Sequence, residues 1–194
     1  MENRVFHDTV LAGIPMQNRI IRSATHEGMA NPDGSPSDQL KSLYLKLARG
    51  GVGMIISGYA GISQVGKSSL YRMMMIDRDD LIPRYREICE AVHLHGTAIV
   101  MQIAHCGRQT RSAITGMPTV APSAIRDRFY NETVPLELSE TEIDGIIDDF
   151  VDAIVRVKKA GFDGVQLHMT HRYLMEKLLS HGTNQRKYSW GRRV

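Results

Sequence analysis

The sequence predicts an α/β chain in which helices cover a parallel sheet, arranged as about four βα units of a (β/α)8 barrel. Three observations carry that reading. Apolar runs alternate with stretches of helical periodicity along the chain, a pattern that calls for parallel strands with helices outside. Gly50, Gly51 and Gly53 precede a strand, so they read as a helix stop rather than the phosphate-binding turn of a doubly wound sheet, the competing architecture. Ser23, Ser57, Gln102, His105 and His168 fall at or near the C-terminal ends of the expected strands, where a barrel places its site.

Each element has a local cause. The run 18–23, NRIIRS, is short and rich in Ile and reads as the first strand. A helix follows with Leu40, Leu43, Tyr44 and Leu47 at helical spacing. GMIISG at 53–58 is the second strand, and the next helix sets Tyr85, Ile88, Cys89 and Val92 on one face before Gly96 ends it. AIVMQIA at 98–104 is the third strand. Ser139 with Glu142 forms a capping box, and Ile143, Ile146, Ile147, Phe150, Val151 and Ile154 then make one apolar stripe. Lys158 and Lys159 suit the negative end of that helix, and Gly161 can take the left-handed cap. GVQLH at 164–168 is the fourth strand. Its alternation directs Val165 and Leu167 to the helix layer and Gln166 and His168 to the barrel axis. Segment 107–138 is too long and aperiodic for an ordinary βα loop and is expected to be a lid or insertion over the site, or else a disordered excursion.

Composition narrows the function classes. The 194 residues are 42% hydrophobic and carry a net charge of +3, enough for a core and too little charge to argue for an acidic partner. Arg186, Lys187, Arg192 and Arg193 make the C-terminus basic, but no aromatic-and-basic repeat accompanies them, so the cluster reads as a solvated tail rather than a nucleic-acid site. Cys89 and Cys106 are the only cysteines and form no disulfide framework. The charged N-terminus lacks the apolar core of a signal peptide, and no run reaches the ~20 apolar residues that span a bilayer. A soluble, cytoplasmic chain is expected.

The chemistry concentrates in residues 161–180. His168, His171 and Tyr173 fall within six residues, where a strand gives way to a helix. HxxH can be a metal pair, but no third ligand stands at a persuasive spacing, so no metal site is assigned. Imidazole N–H groups can hold and polarise a carbonyl oxygen, and a phenol can protonate carbon in a pocket that excludes water. Gln102, buried by parity, needs partners for both ends of its amide; a flavin edge or a neighbouring side chain of the barrel would serve equally.

AGFDGVQLHMTHRYLMEKLLS resembles the signature of the Old Yellow Enzyme family of NADH:flavin oxidoreductases. MQNRIIRSA resembles that family's first strand and QIAHCGRQT its Q-L-x-H-x-G-R segment, in the same order along the chain. The resemblance implies a TIM barrel that binds FMN at its C-terminal face, of which this chain is the N-terminal half. It implies flavin contacts from Ser23, Ala24, Thr25, Gly58, Tyr59 and Gln102, a carbonyl grip by His168 and His171, and proton donation by Tyr173. The implied reaction takes a hydride from NAD(P)H through the flavin to the alkene of an α,β-unsaturated carbonyl or similar small electrophile. Two residues depart from the pattern. Arg172 stands where the family has glycine, so a positive φ there would be strained, and His26 replaces a small or sulfur-bearing residue. A half-barrel exposes two sheet edges, so the expected alternative is a truncated, inactive half that self-associates or joins a missing C-terminal half.

Overall fold

The computed structural model describes residues 4–127 and 134–191. After a 3-10 turn at Arg4–Phe6 comes an antiparallel hairpin of β1 (Thr9–Leu11) and β2 (Ile14–Met16). There follow β3 (Ile21–Arg22), α1 (Asp38–Arg49), β4 (Met54–Ile56), β5 (Ala60–Gly61), β6 (Met74–Met75), α2 (Ile82–His93) and β7 (Ala98–Ala104). The long connection holds α3 (Ser112–Thr115), β8 (Val120–Ala121) and β9 (Leu136–Glu137). Then come α4 (Glu140–Lys159), β10 (Gly164–Leu167) and α5 (Leu174–Leu179).

The strands β3, β4, β7 and β10 lie side by side in that order, all parallel, with Ile21 beside Met54, Met54 beside Ala98 and Gly164 beside Val100. Further along, β5 also pairs with β7, Ala60 beside Ile103, so β4 and β5 are two lengths of one interrupted strand, and β6 pairs with β5. The four-strand parallel order matches the periodicity. The hairpin, β5, β6, β8 and β9 were not foreseen, because strands of two or three residues have no detectable period.

The two faces of the sheet separate as parity demands. Met54, Ile56, Ala98 and Val100 point to the barrel axis, where Ile14 and Met16 of the hairpin cap them. Ile55, Ile99, Met101 and Ile103 point to the helix layer, among Tyr44, Tyr85, Val92 and Val157. Every residue of β7 is buried, as in a strand covered on both faces. In α1, the Leu40 N–H donates to Ser37 Oγ at 3.1 Å, and Leu40, Tyr44 and Ala48 are buried. In α2, the expected face of Tyr85, Ile88, Cys89 and Val92 is the buried one.

The capping box of α4 is present in both directions, with Glu142 N–H to Ser139 Oγ at 3.2 Å and Ser139 N–H to Glu142 Oε2 at 2.7 Å, and Gly161 takes φ 90° after the helix. The apolar stripe needs correction. Only Ile143 of it is buried; Ile147, Val151 and Ile154 stand 40%, 52% and 40% exposed. The helix meets the sheet core through Phe150, Ala153 and Val157 and a smaller cluster through Ile143 and Ile146, so half of the stripe packs inward, and the flank of Ile147, Val151 and Ile154 is uncovered among the described residues. Leu167 likewise differs from expectation: Val165 packs in the helix layer, but Leu167 is exposed on the outermost strand β10. Arg186, read as part of a solvated tail, is buried, and its Nη1 donates to the carbonyl oxygens of Pro122 and Leu138. Arg192 and Arg193 lie outside the described residues.

In the long connection, Arg108, Gln109 and Thr110 are buried, and Gln109 Nε2 donates to Asp127 Oδ2 at 2.8 Å. Residues 128–133 of the expected lid lie outside the described residues.

Candidate active site

A cavity of about 380 Å³ opens at the C-terminal ends of the strands, and Ala24, Tyr59, Gln102, His168, His171 and Tyr173 line it, as does His26. Of the residues expected at the site, Ser23 and Thr25 lie outside this lining and are exposed, and Gly58 is buried outside it. His105, expected on the same face, is buried outside the lining and accepts the Gly107 N–H on Nδ1; burial lowers its pKa to about 4.

The turn after β10 assembles the three rings. The His168 N–H continues the ladder to Ile103 O at 3.0 Å. His171 and Arg172 then take left-handed backbone, φ 58° and 60°, which reverses the chain. The strain expected at Arg172 is therefore present, at about 1–2 kcal/mol for such a residue. Leu174 N–H donates to His105 O at 3.0 Å and Arg172 N–H to Glu176 Oε2 at 2.6 Å, fixing the start of α5.

Within the cavity, His168 Nε2 lies 3.2 Å from His171 Nδ1, so one of these nitrogens carries the hydrogen between them. Burial, then the charge of His171, lowers the pKa of His168 and favours a neutral imidazole. Tyr173 stands edge-on to His168 with ring centres 4.7 Å apart, and burial pushes its phenol far up, so it stays protonated at neutral pH. Tyr59 stacks on His168 at 5.5 Å, with His26 on its other side at 5.2 Å. Gln102 Nε2 donates to Gln166 Oε1 at 2.7 Å, so a neighbouring side chain already serves part of its amide.

Several residues here were not legible in advance. Ser68, Ser69, Leu70, Gln109 and Thr170 also line the cavity, the first three from the aperiodic loop between β5 and β6. Beside the cavity-lining residues His26 and Tyr59, the carboxylate of Glu27 accepts from Arg22 Nη2 at 2.9 Å, the Tyr44 hydroxyl at 2.8 Å and the Gly58 N–H at 3.1 Å. A Cβ on Gly58 would lie 2.0 Å from Glu27 Oε2, so only glycine fits there. Lys177, one turn after Tyr173, is buried with no hydrogen-bond partner for Nζ among the described residues, and burial lowers its pKa to about 8. Among the described residues no group of three His, Cys, Asp or Glu side chains is placed to hold a metal ion, and no helix is long and apolar enough to cross a membrane.

A model of the NADH:flavin oxidoreductase / NADH oxidase family matches residues 6–192. The chain is 40% identical to a metal reductase of Desulforamulus reducens and 39% identical to an NADH oxidase of Thermoanaerobacter brockii, each over 96% of its length. It spans only 27% and 29% of those relatives. The Old Yellow Enzyme homologue of Zymomonas mobilis superposes with a TM-score of 0.89 at 31% identity, over 97% of this chain and 55% of that one. A parallel half-barrel sheet with this match along nearly its whole length belongs to the NADH:flavin oxidoreductase / NADH oxidase family of Old Yellow Enzyme type, which uses FMN with NADH or NADPH as reductant.

Proposed function

We propose that this chain forms the substrate-activating part of an FMN-dependent oxidoreductase that reduces the alkene of an α,β-unsaturated carbonyl or similar electrophile. The observation that carries the reading is the convergence of His168, His171 and Tyr173 on one cavity. The residues fit the ring of FMN. Gln102 offers an amide at the cavity floor, Ala24 leaves room beside it, and the volume of about 380 Å³ is within the range of small-molecule sites. Among the described residues no lysine or arginine is in the lining, so the phosphate needs groups beyond it. Of the expected contacts, Ala24, Tyr59 and Gln102 line the cavity and would hold the ring, while Ser23, Thr25 and Gly58 lie outside its lining. When bound, FMN supplies the hydride carrier between NAD(P)H and substrate.

The chain's own residues do the rest. When substrate binds, the hydrogen bond between His168 and His171 gives way and both rings donate N–H groups to the carbonyl oxygen, draining charge from the alkene so that its β-carbon accepts hydride. Tyr173 delivers a proton to the α-carbon, a role that its burial suits by keeping the phenol protonated. The described part of segment 107–138 covers the site, a role supported by Gln109 in the cavity wall. The chain alone is expected to retain little flavin on purification; with FMN supplied in excess, NAD(P)H oxidation with cyclohexenone, and loss of that turnover in Tyr173→Phe with flavin retained, are the expected results. Unchanged turnover in Tyr173→Phe would reject the assignment.

A second reading is a non-catalytic half-barrel that associates through its edges, favoured by the uncovered flank of α4 and the exposed Leu167 of β10. Flavin-free protein that is dimeric on a sizing column would support it.

A further inference from the structure

Segment 69–71 forms part of the cavity wall without belonging to any helix or strand. It lies in the connection between β5 and β6, and Ser69 and Leu70 line the cavity, while Leu70 and Tyr71 stand 49% and 70% exposed. Its ends are held. The Ser68 N–H donates to Met73 Sδ at 3.0 Å, and the Ala30 N–H donates to Arg72 O at 3.3 Å. Arg72 takes left-handed backbone, φ 48°, which a residue with a side chain keeps only where surrounding bonds hold it. Between those ends, among the described residues, the backbone is bonded at Leu70 and at Tyr71. The Leu70 N–H donates to Ser68 Oγ at 3.1 Å, which ties the segment to its own flank. Tyr71 O lies 2.9 Å from His26 Nε2, and this bond alone reaches another part of the chain.

The geometry fixes the role of His26 in that bond. A carbonyl oxygen only accepts, so Nε2 carries the hydrogen and His26 is the donor, whether its ring is neutral or charged. The ring is aimed by its stack on Tyr59, with centres 5.2 Å apart and planes 24° from parallel, and Tyr59 in turn stacks on His168. Gly28, at φ 64°, turns the chain against the bond; a Cβ there would lie 3.5 Å from Tyr71 O and 3.7 Å from His26 Nε2. The small or sulfur-bearing residues that His26 replaces have no N–H to offer this carbonyl.

Resting on the reaction proposed above for its consequence, we propose that His26 is the peg that holds Ser69, Leu70 and Tyr71 against the cavity, and that this wall limits the substrate to small electrophiles. With the bond made, Leu70 closes the outer side of a cavity of about 380 Å³. With it broken, the strain at Arg72 favours release, the wall swings outward and bulkier enones enter. His26 is thus a positioning residue that acts through Leu70.

Chymotrypsin reads the peg in the full chain without flavin or turnover. It cuts after Tyr71 only when the segment opens, and the rate follows the open population when closing is fast. Fragments are assigned by mass, and cutting after Tyr188, 57% exposed, monitors loosening of the whole chain. His26→Phe keeps a ring to stack on Tyr59 but removes the N–H, so cutting after Tyr71 should rise about fivefold while cutting after Tyr188 holds. His26→Gln restores a donor at similar reach and should return the rate to that of the unmodified chain. His26→Ala takes the place of His26→Phe if the latter does not fold. An unmodified chain cut after Tyr71 as fast as the variant without a donor, a Gln variant as labile as that one, or an equal rise after Tyr188 overturns the peg. With FMN in excess, the ratio of kcat/KM for a tert-butyl-substituted cyclohexenone to that for cyclohexenone should rise about fivefold in His26→Phe and not in His26→Gln. An unchanged ratio overturns the part of His26 in selecting substrate. Absence of enone reduction by the unmodified chain, alongside the expected cutting pattern, defeats the proposed reaction and leaves the peg standing.

Discussion

Replacing Glu27 with alanine tests whether one buried carboxylate ties the first two strands together under the site. The Glu27 side chain is 4% exposed and pairs with Arg22, itself 16% exposed, at 2.9 Å. Removing one partner of a buried ion pair costs about 3–5 kcal/mol, because the other charge is stranded. The Tyr44 hydroxyl, 2.8 Å from Glu27, loses its acceptor in a buried position, which adds about 1–3 kcal/mol. These terms overlap, since Arg22 keeps a bond to Ile56 O at 2.8 Å, so a total of about 4–5 kcal/mol is expected. Urea unfolding followed by tryptophan fluorescence should show the midpoint falling by roughly 2 M. The triple variant Arg22→Met, Glu27→Leu, Tyr44→Phe, which removes every stranded group at once, should recover most of that loss. A cost below about 1.5 kcal/mol for Glu27→Ala, or no recovery in the triple variant, would refute the idea that stranded polar groups set the penalty.

Lys177→Met should stabilise the chain below pH 8, by about 3 kcal/mol, since the native state holds that amine at about 8 against the 10.5 of a free lysine; an unchanged urea midpoint would show that Nζ is solvated. His105, held at about 4 against 6.5, takes up its proton in the unfolded state first. Stability should therefore fall by about 3 kcal/mol as pH drops from 6.5 to 4, and His105→Gln should flatten that limb of the urea-midpoint profile. Arg172→Gly should relieve the left-handed strain of about 1–2 kcal/mol while loosening the unfolded chain by about 0.4–1 kcal/mol, so thermal unfolding should rise by a few degrees at most. A fall of more than a few degrees would mean that the arginine side chain matters more than its backbone.

The legible parts of this molecule were those with a period or a cap. The helices α1, α2 and α4 and the strands β4, β7 and β10 stand where spacing put them, and Ser139 with Glu142 marked the start of α4 to the residue. Parity correctly put Gln102 and Gln166 on one side of the sheet, where they bond to each other. What escaped was set by tertiary approach. Glu27 follows an exposed stretch with no pattern, and its importance arises only because Gly58 lets a carboxylate come so near. Ser68 sits in a loop whose sequence says turn and nothing more. The outer half of the α4 stripe misled because hydrophobicity marks which flank can be covered; in the described residues, packing on the sheet took in Phe150, Ala153 and Val157 and left Ile147, Val151 and Ile154 out.

The same distinction bears on the site itself. His168 belongs to the outermost strand, and what holds its ring is the local turn more than the sheet beyond it: the ladder bond to Ile103, the left-handed pair at 171 and 172, and the bond from Leu174 to His105. Two consecutive left-handed residues are costly, so the turn is kept only because bonds on both sides over-determine it. That places the strain between the two groups whose relative position the proposed chemistry depends on, the imidazole of His168 and the phenol of Tyr173. The geometry of the pair is thus written into backbone angles and short-range hydrogen bonds that this chain contains in full. The proposed flavin binding asks for more, since among the described residues the cavity wall holds no lysine or arginine for a phosphate. The cluster of three rings and the proposed cofactor's anchorage are therefore separable properties of this fold, and the first can be measured in the absence of the second.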